Sequence, residues 1–269
     1  MSKTILITGA TDGIGLETAK TLVGQGHHLL IHGRSEKKLT DTIAQLANVN
    51  EEGKVQAYKA DLSDMAQVQS LCTSISEEHE KLDAIINNAG VFNVPNAETQ
   101  YGLDLRFVVN LLAPYFITNK LISLLPADGR VVNLSSAAQA AVNLDALAGH
   151  VGLDSNQAYA QSKLALTMWS FHLAKSRQDT GPSIIAVNPA SFLGSKMVKE
   201  AYGVEGKDLQ VGADILVRAA TSSEFDNANG RYYDNDNGQF LPPHHDALNP
   251  EKNQRLVDAI EDILSRILN

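Results

Sequence analysis

Cysteine is almost absent from this sequence of 269 residues, in which Cys72 is the only thiol. A single cysteine excludes an internal disulfide, and it also excludes the paired cysteines of CxxC metal and redox sites. Such a composition is typical of a reducing compartment. The chain starts with MSKTILITG, whose apolar run is too short for the core of a signal peptide. We therefore expect a cytoplasmic protein.

Positive charge is also scarce, because 22 Lys and Arg residues stand against 31 Asp and Glu residues and the net charge is −9. An acidic surface repels the phosphates of nucleic acids and the headgroups of anionic lipids. Long apolar runs are missing as well. The most apolar stretch, VVNLLAPYFI at 108–117, contains Asn110 and Pro114 and is shorter than the about 20 residues that span a bilayer. We expect neither nucleic acid nor a membrane as a partner.

Short apolar runs alternate with amphipathic stretches from the start of the chain. The runs are continuous, which is typical of strands covered on both faces of a sheet. These predicted strands lie at 3–9, 27–33, 54–60, 83–89, 130–136 and 183–189, with RYYD as a short last strand. The predicted helices lie at 14–25, 35–48, 64–80, roughly 101–124 and 156–178. The alternation predicts an α/β fold: a single Rossmann-type doubly wound parallel sheet of about seven strands with helices on both faces, in one domain over 1–269.

The last third of the chain is less regular. Residues 190–210 place apolar side chains among glycines and charges, and we expect this segment to cover the substrate. Residues 250–268 begin with a proline and are predicted to form a C-terminal helix. The apolar stripe of this helix, Leu256, Ile260, Ile263 and Ile267, is interpreted as core packing rather than as a subunit contact. DNDNG at 234–238 lacks the later oxygen ligands of a calcium loop, so we predict a turn there and no metal site.

A glycine-rich turn, TGATDGIG at 8–15, follows the first predicted strand and opens the first predicted helix. Its glycines allow a sharp turn and a close approach to a phosphate, and the helix N-terminus offers unpaired N–H groups and a positive dipole end. The strand before the turn and the helix after it favour a dinucleotide site over a plain turn. The predicted cofactor-binding residues of this turn are Gly9, Thr11, Asp12, Gly13, Ile14 and Gly15.

Seven motifs, taken in order along the chain, resemble those of the short-chain dehydrogenase/reductase family, in its compact single-domain branch. They are TGATDGIG at 8–15, DLSD at 61–64, NNAG at 87–90, Asn110 in VVNLLAP, the serines of VVNLSS, YAQSK at 159–163 and NP at 188–189. The resemblance covers nearly the whole chain. It implies hydride transfer between a nicotinamide dinucleotide and a carbonyl/alcohol pair, and it implies a homodimer or homotetramer. The family's usual PG after the sixth strand is replaced here by Pro189-Ala190.

The resemblance also implies further contacts to the cofactor. Asp61 and Leu62 would border the adenine, although Asp61 could also cap the helix that follows. The other positions implied to bind the cofactor are Asn87, Ala89, Gly90, Tyr159, Lys163, Pro189 and Ser195.

The cofactor preference is predicted from HGRSEKK at the end of the second strand. In dinucleotide folds, an acidic residue about 20 residues past the glycines binds the ribose hydroxyls and disfavours a 2′-phosphate. NAD-preferring members of the family place an aspartate where this chain has Gly33, and the guanidinium of Arg34 can bind a phosphate bidentately. We therefore predict NADP(H), with NAD(H) possible. Asp12 argues against this preference, because many NADP(H) enzymes carry a basic residue in its place.

Tyr159 and Lys163 are four residues apart in a predicted helix and share one face. A free phenol has a pKa of about 10, and a neighbouring ammonium favours its ionised form. The resemblance assigns the proton transfer to Tyr159 and the nicotinamide ribose to Lys163. It makes Ser136, rather than Ser135, the hydroxyl that binds the substrate oxygen, and it gives Asn110 a water that links Lys163 to solvent. We expect a partly hydrophobic small-molecule carbonyl or alcohol as the substrate. The alternatives left open are an NAD(H)-preferring dehydrogenase and a non-catalytic dinucleotide-binding redox sensor.

Overall fold

The structure is a computed structural model that describes residues 2–51, 53–177 and 181–268, with the backbone alone at Ala201 and Tyr202. In this described part, eight strands form one sheet in the spatial order β3-β2-β1-β4-β5-β6-β7-β8. Their bounds are β1 Thr4–Ile7, β2 His28–Gly33, β3 Val55–Lys59, β4 Ala84–Asn87, β5 Arg130–Leu134, β6 Ser183–Asn188, β7 Arg231–Asp234 and β8 Gln239–Phe240. Strands β1 to β7 pair in parallel, and β8 pairs antiparallel with β7. The predicted doubly wound sheet is confirmed.

Helices fill most of the connections between these strands, and one helix follows the last strand. The helices predicted at 14–25, 35–48, 64–80, roughly 101–124, 156–178 and 250–268 are present to within a few residues, whereas three helices, at 144–147, 196–202 and 209–221, were not predicted. Their bounds are α1 Gly13–Gly24, α2 Glu36–Val49, α3 Met65–Glu78, α4 Leu105–Phe107, α5 Ala113–Leu121, α6 Leu144–Leu147, α7 Ser155–Ser176, α8 Lys196–Tyr202, α9 Leu209–Thr221 and α10 Pro250–Leu268. A π-helical segment, Val108–Leu112, joins α4 to α5, and a 3-10 segment, Ile122–Leu124, continues α5.

Both faces of the sheet are covered at β1, β2, β4, β5 and β6, which explains why these strands have unbroken apolar runs, whereas the edge strand β3 is only partly buried. In β1, Leu6 belongs to one apolar core, whereas its neighbours Ile5 and Ile7 belong to the other. The first core is completed by side chains from α3, α5, α7 and α10, and the second by side chains from α1, α2 and α9. The carboxyl ends of the parallel strands therefore meet along one edge, between the two helical layers.

The eighth strand was not predicted, because it has only two residues. It forms a hairpin with β7, in which Tyr233 pairs with Phe240 and Asp234 pairs with Gln239. DNDNG forms the turn of this hairpin, as the sequence predicted.

One helical run, Leu105–Leu124, is long and apolar enough to cross a bilayer by length and composition, which the shorter run at 108–117 did not suggest. Of its most apolar window, 78% is buried inside the fold, as in a core helix. The stripe of α10 is also buried within the chain at Leu256, Ile260 and Ile263, so it packs on the protein's own core.

Candidate active site

The glycine loop closes tightly onto the segment that follows β4. Gly9 has a φ of 68°, and a Cβ built on it would lie 2.9 Å from the Cα of Ala89. A Cβ on Gly15 would lie 2.3 Å from the carbonyl oxygen of Gly9, so only glycine fits at either position. Gly13 is different, because its Cβ would meet only the Cβ of Ser195, at 3.8 Å. The loop therefore leaves open space at the N-terminus of α1, and this cradle fits a dinucleotide pyrophosphate.

Thr8 and Asn88 hold this arrangement together, and neither was predicted. The Thr8 hydroxyl accepts the backbone N–H groups of Asn88 and Ala89, both at 3.1 Å. The Asn88 amide donates to the carbonyls of Thr8 and Gly9 at 2.9 and 3.1 Å. The first asparagine of NNAG lies elsewhere: Asn87 is 1% exposed and donates to Thr118 Oγ1 and Asn133 Oδ1. The side-chain nitrogen of Asn87 therefore bonds to α5 and β5, while its Oδ1 is buried without a hydrogen-bond partner among the described residues.

Two cationic residues that follow β2, Arg34 and Lys38, lie beside the glycine loop. Arg34 is exposed directly after β2, and Lys38 lies one turn further along, in α2. Lys38 Nζ lies 2.8 Å from Asp12 Oδ2, and this hydrogen bond is the main reason that the pKa of Asp12 is lowered. Asp12 also accepts the N–H of Gly13 and caps α1. The charge of Asp12, which argued against a phosphate site, is therefore balanced by a lysine that the sequence analysis did not single out.

Gly33 cannot carry the aspartate of NAD-preferring relatives without a local shift. A Cβ on Gly33 would lie 2.6 Å from Thr11 Cγ2, because the glycine loop packs against the end of β2. Further along the same edge, Asp61 accepts the N–H and hydroxyl of Ser63. The following helix α3 is capped by Asp64 and not by Asp61, so the alternative role considered for Asp61 is wrong. Leu62 is buried beside it and belongs to the core on that face.

Lys163 lies inside the protein, with 3% of its surface exposed. Its ammonium donates to the carbonyl of Leu134 at 2.6 Å and lies 5.8 Å from the centre of the Tyr159 ring. Burial lowers the pKa of Lys163 to about 8, because the interior disfavours the charged form, so the ammonium still predominates at pH 7. A Cβ on Gly90 would lie 3.4 Å from Lys163 Nζ and 3.3 Å from Asn110 Oδ1. Glycine at this position therefore lets the chain pass close to both groups.

Asn110 lies in the π-helical segment, a distortion that often marks functional sites. Its Oδ1 accepts the N–H of Val91 at 2.8 Å, and its Nδ2 donates to the carbonyl of Val91 at 3.0 Å. The same Nδ2 donates to Ser162 Oγ, whose hydroxyl donates to the backbone carbonyl of Tyr159. Asn110 thus joins the segment after β4 to the helix that carries Tyr159 and Lys163.

The two serines after β5 face different surroundings. Ser135 is buried, and its hydroxyl pairs with Thr167 Oγ1 at 2.7 Å. Ser136 is half-buried, and its hydroxyl oxygen accepts the N–H of Ala138 at 3.1 Å, which leaves the hydroxyl proton to point elsewhere. The backbone carbonyl of Ser136 accepts bonds from Tyr232 and Gln139, at 3.1 and 3.0 Å. This geometry favours Ser136 as the hydroxyl that meets a substrate.

The turn after β6 is strained. Ala190 has a φ of 115° and Phe192 a φ of 55°, a region that L-residues with a side chain rarely adopt. Asp236 holds the turn by accepting both the N–H and the hydroxyl of Ser191. Pro189 is tied to the same hairpin, since its carbonyl accepts the amide of Asn235. The glycine that is usual at position 190 would relieve the strain that the alanine imposes.

We expect Ala190→Gly to stabilise the protein. Relief of the strained φ is worth about 1–3 kcal/mol, and the extra flexibility of glycine in the unfolded chain offsets about 0.5–1 kcal/mol of it. The melting temperature should therefore rise by about 2 °C or more. The matched control is Ala66→Gly in the exposed part of α3, which should lower the melting temperature. Equal losses in both variants would show that Ala190 is not strained.

Ser195 lies next to the glycine loop and caps α8 by accepting the N–H of Val198. Two backbone hydrogen bonds join the ends of the segment around α8. The N–H of Gly194 donates to the Lys207 carbonyl, and the N–H of Lys207 donates to the Phe192 carbonyl. Residues 194–206 thus form a loop with a narrow neck beside the site.

One cluster of possible metal ligands lies in the described residues, at His244, His245 and Asp246, whose ligand atoms come within 4.8 Å of one another. The carboxylate of Asp246 is already paired with Lys252 Nζ at 2.5 Å. A cationic lysine at this distance competes with any metal ion.

The sequence profile of the short chain dehydrogenase family matches residues 3–204, about three quarters of the chain. Human polyprenol dehydrogenase is 31% identical over 251 residues, which cover 86% of this chain and 76% of that protein. Mouse retinol dehydrogenase 12 is 32% identical over 244 residues, which cover 86% and 77%. The crystal structure of the angucycline C-6 ketoreductase LanV with bound NADP superposes with a TM-score of 0.68 at 25% identity, covering 87% of this chain and 93% of that one.

The fold, the glycine cradle and the Tyr159–Lys163 pair define a dinucleotide-dependent oxidoreductase of the CH-OH/C=O type. The chain belongs to the short-chain dehydrogenase/reductase family.

Proposed function

We propose that the protein is an NADP(H)-dependent oxidoreductase that interconverts a hydrophobic alcohol and its carbonyl compound. The observation that carries this proposal is the placement of Tyr159, Lys163 and Ser136 at the same sheet edge as the glycine cradle. Two relatives named for polyprenol and retinol support a hydrophobic substrate. The exposed side chain of Phe192, in the segment 190–210, agrees with an apolar entrance.

The residues around the cradle fit a nicotinamide dinucleotide. The pyrophosphate would be held by the glycine loop and the N-terminus of α1, and the 2′-phosphate by Arg34. Tyr159 and Lys163 would hold the nicotinamide ribose, and the turn from Pro189 to Ser195 would hold the carboxamide. The cofactor, when bound, supplies the hydride donor or acceptor.

The side chains handle the proton and the charge at the substrate oxygen. Tyr159 Oη would exchange a proton with this oxygen, and Ser136 Oγ would donate a hydrogen bond to it. The ammonium of Lys163 favours the phenolate form of Tyr159. Asn110 would keep Lys163 in contact with solvent through a water. These are separate roles, so single substitutions can test them one at a time.

A substrate series tests the proposed activity. NADPH oxidation is followed with retinal, farnesal and short aliphatic aldehydes, and NADP⁺ reduction with the matching alcohols. We expect kcat/KM to rise with the apolar length of the substrate, since each buried methylene contributes about 0.8 kcal/mol. No turnover with any of these compounds would refute the activity, and equal kcat/KM across the series would refute the hydrophobic pocket.

Arg34 is proposed to determine the cofactor preference, with Lys38 balancing Asp12 beside it. Arg34→Ala should weaken NADPH binding by about 10- to 100-fold, because a charge-assisted phosphate contact is lost. NADH binding, which lacks that phosphate, should change little. Binding is measured by titration calorimetry or by the fluorescence of the reduced nicotinamide.

The matched control for Arg34→Ala is Lys37→Ala, since Lys37 is an exposed cation three residues further along, in α2, and its ammonium is paired with Asp41. This control should leave both affinities unchanged. Equal losses of NADPH and NADH binding in Arg34→Ala would instead show that Arg34 does not bind the 2′-phosphate, and the assignment of the preference to Arg34 would be wrong.

We also propose that the protein is cytoplasmic and assembles as a homodimer or homotetramer. The dimers and tetramers that are common in the family support the proposed assembly. Sedimentation velocity of the purified protein measures the assembly, and a single monomer peak at micromolar concentration would refute it.

A further inference from the structure

Arg106 is a buried charge that the proposed chemistry does not use. It is 1% exposed and lies one turn before Asn110, at the start of the same helical run. Its guanidinium grips Asp104 with two hydrogen bonds, Nε to Oδ1 at 2.8 Å and Nη2 to Oδ2 at 2.6 Å. A buried ion pair of this kind is often no more stabilising than apolar residues of the same volume. Its presence therefore calls for a reason other than stability.

The third contact of the guanidinium supplies that reason. Nη1 of Arg106 donates to the backbone carbonyl of Phe92 at 3.3 Å. The preceding residue, Val91, is held by both its N–H and its carbonyl on the amide of Asn110. Arg106 and Asn110, which lie one helical turn apart, thus hold the backbone of Val91 and Phe92 by three hydrogen bonds, and we call this set of bonds the grip. This grip fixes the direction in which the side chain of Phe92 leaves the chain.

Phe92 contacts the central residue of the site. Its ring is 6% exposed and lies 4.7 Å from the ring of Tyr159, with the two planes tilted by 49°. The ammonium of Lys163 lies 5.8 Å from the same Tyr159 ring. The phenol is therefore oriented by an aromatic wall as well as by its own helix, and the position of the wall depends on the segment that Arg106 and Asn110 hold.

We propose that Arg106 is a positioning residue for Tyr159, and that it acts through Phe92. The pair with Asp104 fixes the guanidinium, the guanidinium fixes the Phe92 backbone, and the Phe92 ring fixes the phenol. This inference rests on the proposed function, in which Tyr159 transfers the proton. It adds two residues to the site, neither of which carries the proton or binds the cofactor phosphates.

The test is a double-mutant cycle on kcat with Arg106→Met, Phe92→Leu and the double variant, using a substrate that the wild-type protein turns over. Arg106→Met keeps an unbranched apolar stem and removes the guanidinium, together with its bonds to Phe92 and Asp104. We expect each single variant to lower kcat by about 10-fold, because a reacting group is misplaced, with KM for NADPH unchanged. The double variant should be no slower than Phe92→Leu alone, since Arg106 acts only through that ring. Multiplied losses in the double variant, or a kcat for Arg106→Met within twofold of wild type, would overturn the proposal.

Amide hydrogen exchange gives a readout that does not require activity. In Arg106→Met, the peptide that contains residues 90–95 should exchange about 10-fold faster than in the wild type, while the peptides of β1 and β5 stay protected. If Arg106→Met does not fold, Arg106→Lys takes its place, since it keeps the charge beside Asp104 but lacks the fork that reaches both partners. Unchanged exchange at 90–95 in a folded variant contradicts the grip. A wild-type protein without turnover contradicts the proposed function instead and leaves the exchange result to decide on the grip.

Discussion

Tyr159→Phe is expected to lower kcat by about 10³-fold, because it removes the one atom through which the proton would pass. The ring itself stays in place, since its contact with Phe92 at 4.7 Å involves the ring and not the hydroxyl. The backbone carbonyl of Tyr159 also keeps its bond from Ser162. Affinity for NADPH should therefore fall by no more than a few fold. The two measurements are steady-state turnover with an aldehyde substrate and NADPH binding followed by fluorescence.

The control for this prediction is Tyr115→Phe. Tyr115 lies on α5, where its hydroxyl bonds to Glu261 and its ring packs on Trp169. Removal of this hydroxyl should leave kcat within about twofold of the wild type, because Tyr115 lies in the core between α5 and α10, outside the proposed catalytic group. A Tyr159→Phe variant that keeps more than a tenth of the wild-type kcat would show that another group moves the proton.

Local patterns predicted the sheet and the Tyr159–Lys163 pair, because both depend on short-range regularities. Six runs predicted six strands, and all of these strands except the partly exposed β3 are buried, because a strand that is covered on both faces is apolar along its whole length. The four-residue spacing of Tyr159 and Lys163 fixes a shared helix face wherever the helix lies. The glycine loop was predicted for a similar reason, because a strand immediately precedes it and a helix immediately follows it.

Features that depend on the partner of a side chain were not predictable. Asn87 and Asn88 are adjacent and chemically identical, yet one faces Thr118 and the other the glycine loop, because successive residues at a strand end point to opposite faces. Nothing in the motif NNAG tells which of the two points to which face. The pair of Lys38 with Asp12 joins residues 26 positions apart, and it requires the placement of β2 beside β1.

The backbone strain at Ala190 and the hydrogen bonds of Arg106 were also not predictable from the sequence. The φ of 115° at Ala190 lies in a turn that Asp236 holds through Ser191, and Asp236 and Ser191 meet only when β7 and its hairpin lie beside β6. Arg106 is a similar case, because a single charge in an apolar helix says nothing about which carbonyl it will reach. A mid-helix asparagine in VVNLL did signal a required partner, and the structure supplies that partner at Val91.

Lys163→Met is expected to separate catalysis from stability. Turnover should fall by about 10²-fold or more, because a preorganised charge next to the phenol is removed. At neutral pH, the free energy of unfolding should instead rise. Burial holds the pKa of Lys163 at about 8, against a usual value of 10.5, so below pH 8 the folded protein carries a charge that its interior disfavours. Methionine avoids that cost of about 3 kcal/mol. It also leaves the carbonyl of Leu134 without its donor, which costs about 1–3 kcal/mol and cancels much of the gain.

The pH dependence of the free energy of unfolding separates these two contributions. The loss of the bond to Leu134 is the same at every pH, whereas the cost of the buried charge is not. Below pH 8, the lysine is protonated in both the folded and the unfolded state, and the wild type bears the full cost. Between pH 8 and 10.5, the folded protein releases the proton while the unfolded chain retains it, so the free energy of unfolding of the wild type rises relative to Lys163→Met. We expect this difference to grow by about 3 kcal/mol across that window, measured by urea unfolding of both proteins without cofactor. All other titrating groups are common to the two proteins, so their contributions cancel. A difference that stays flat from pH 7 to pH 10 would mean that the amine is not buried as a cation, and the activation of Tyr159 would then need another source of positive charge.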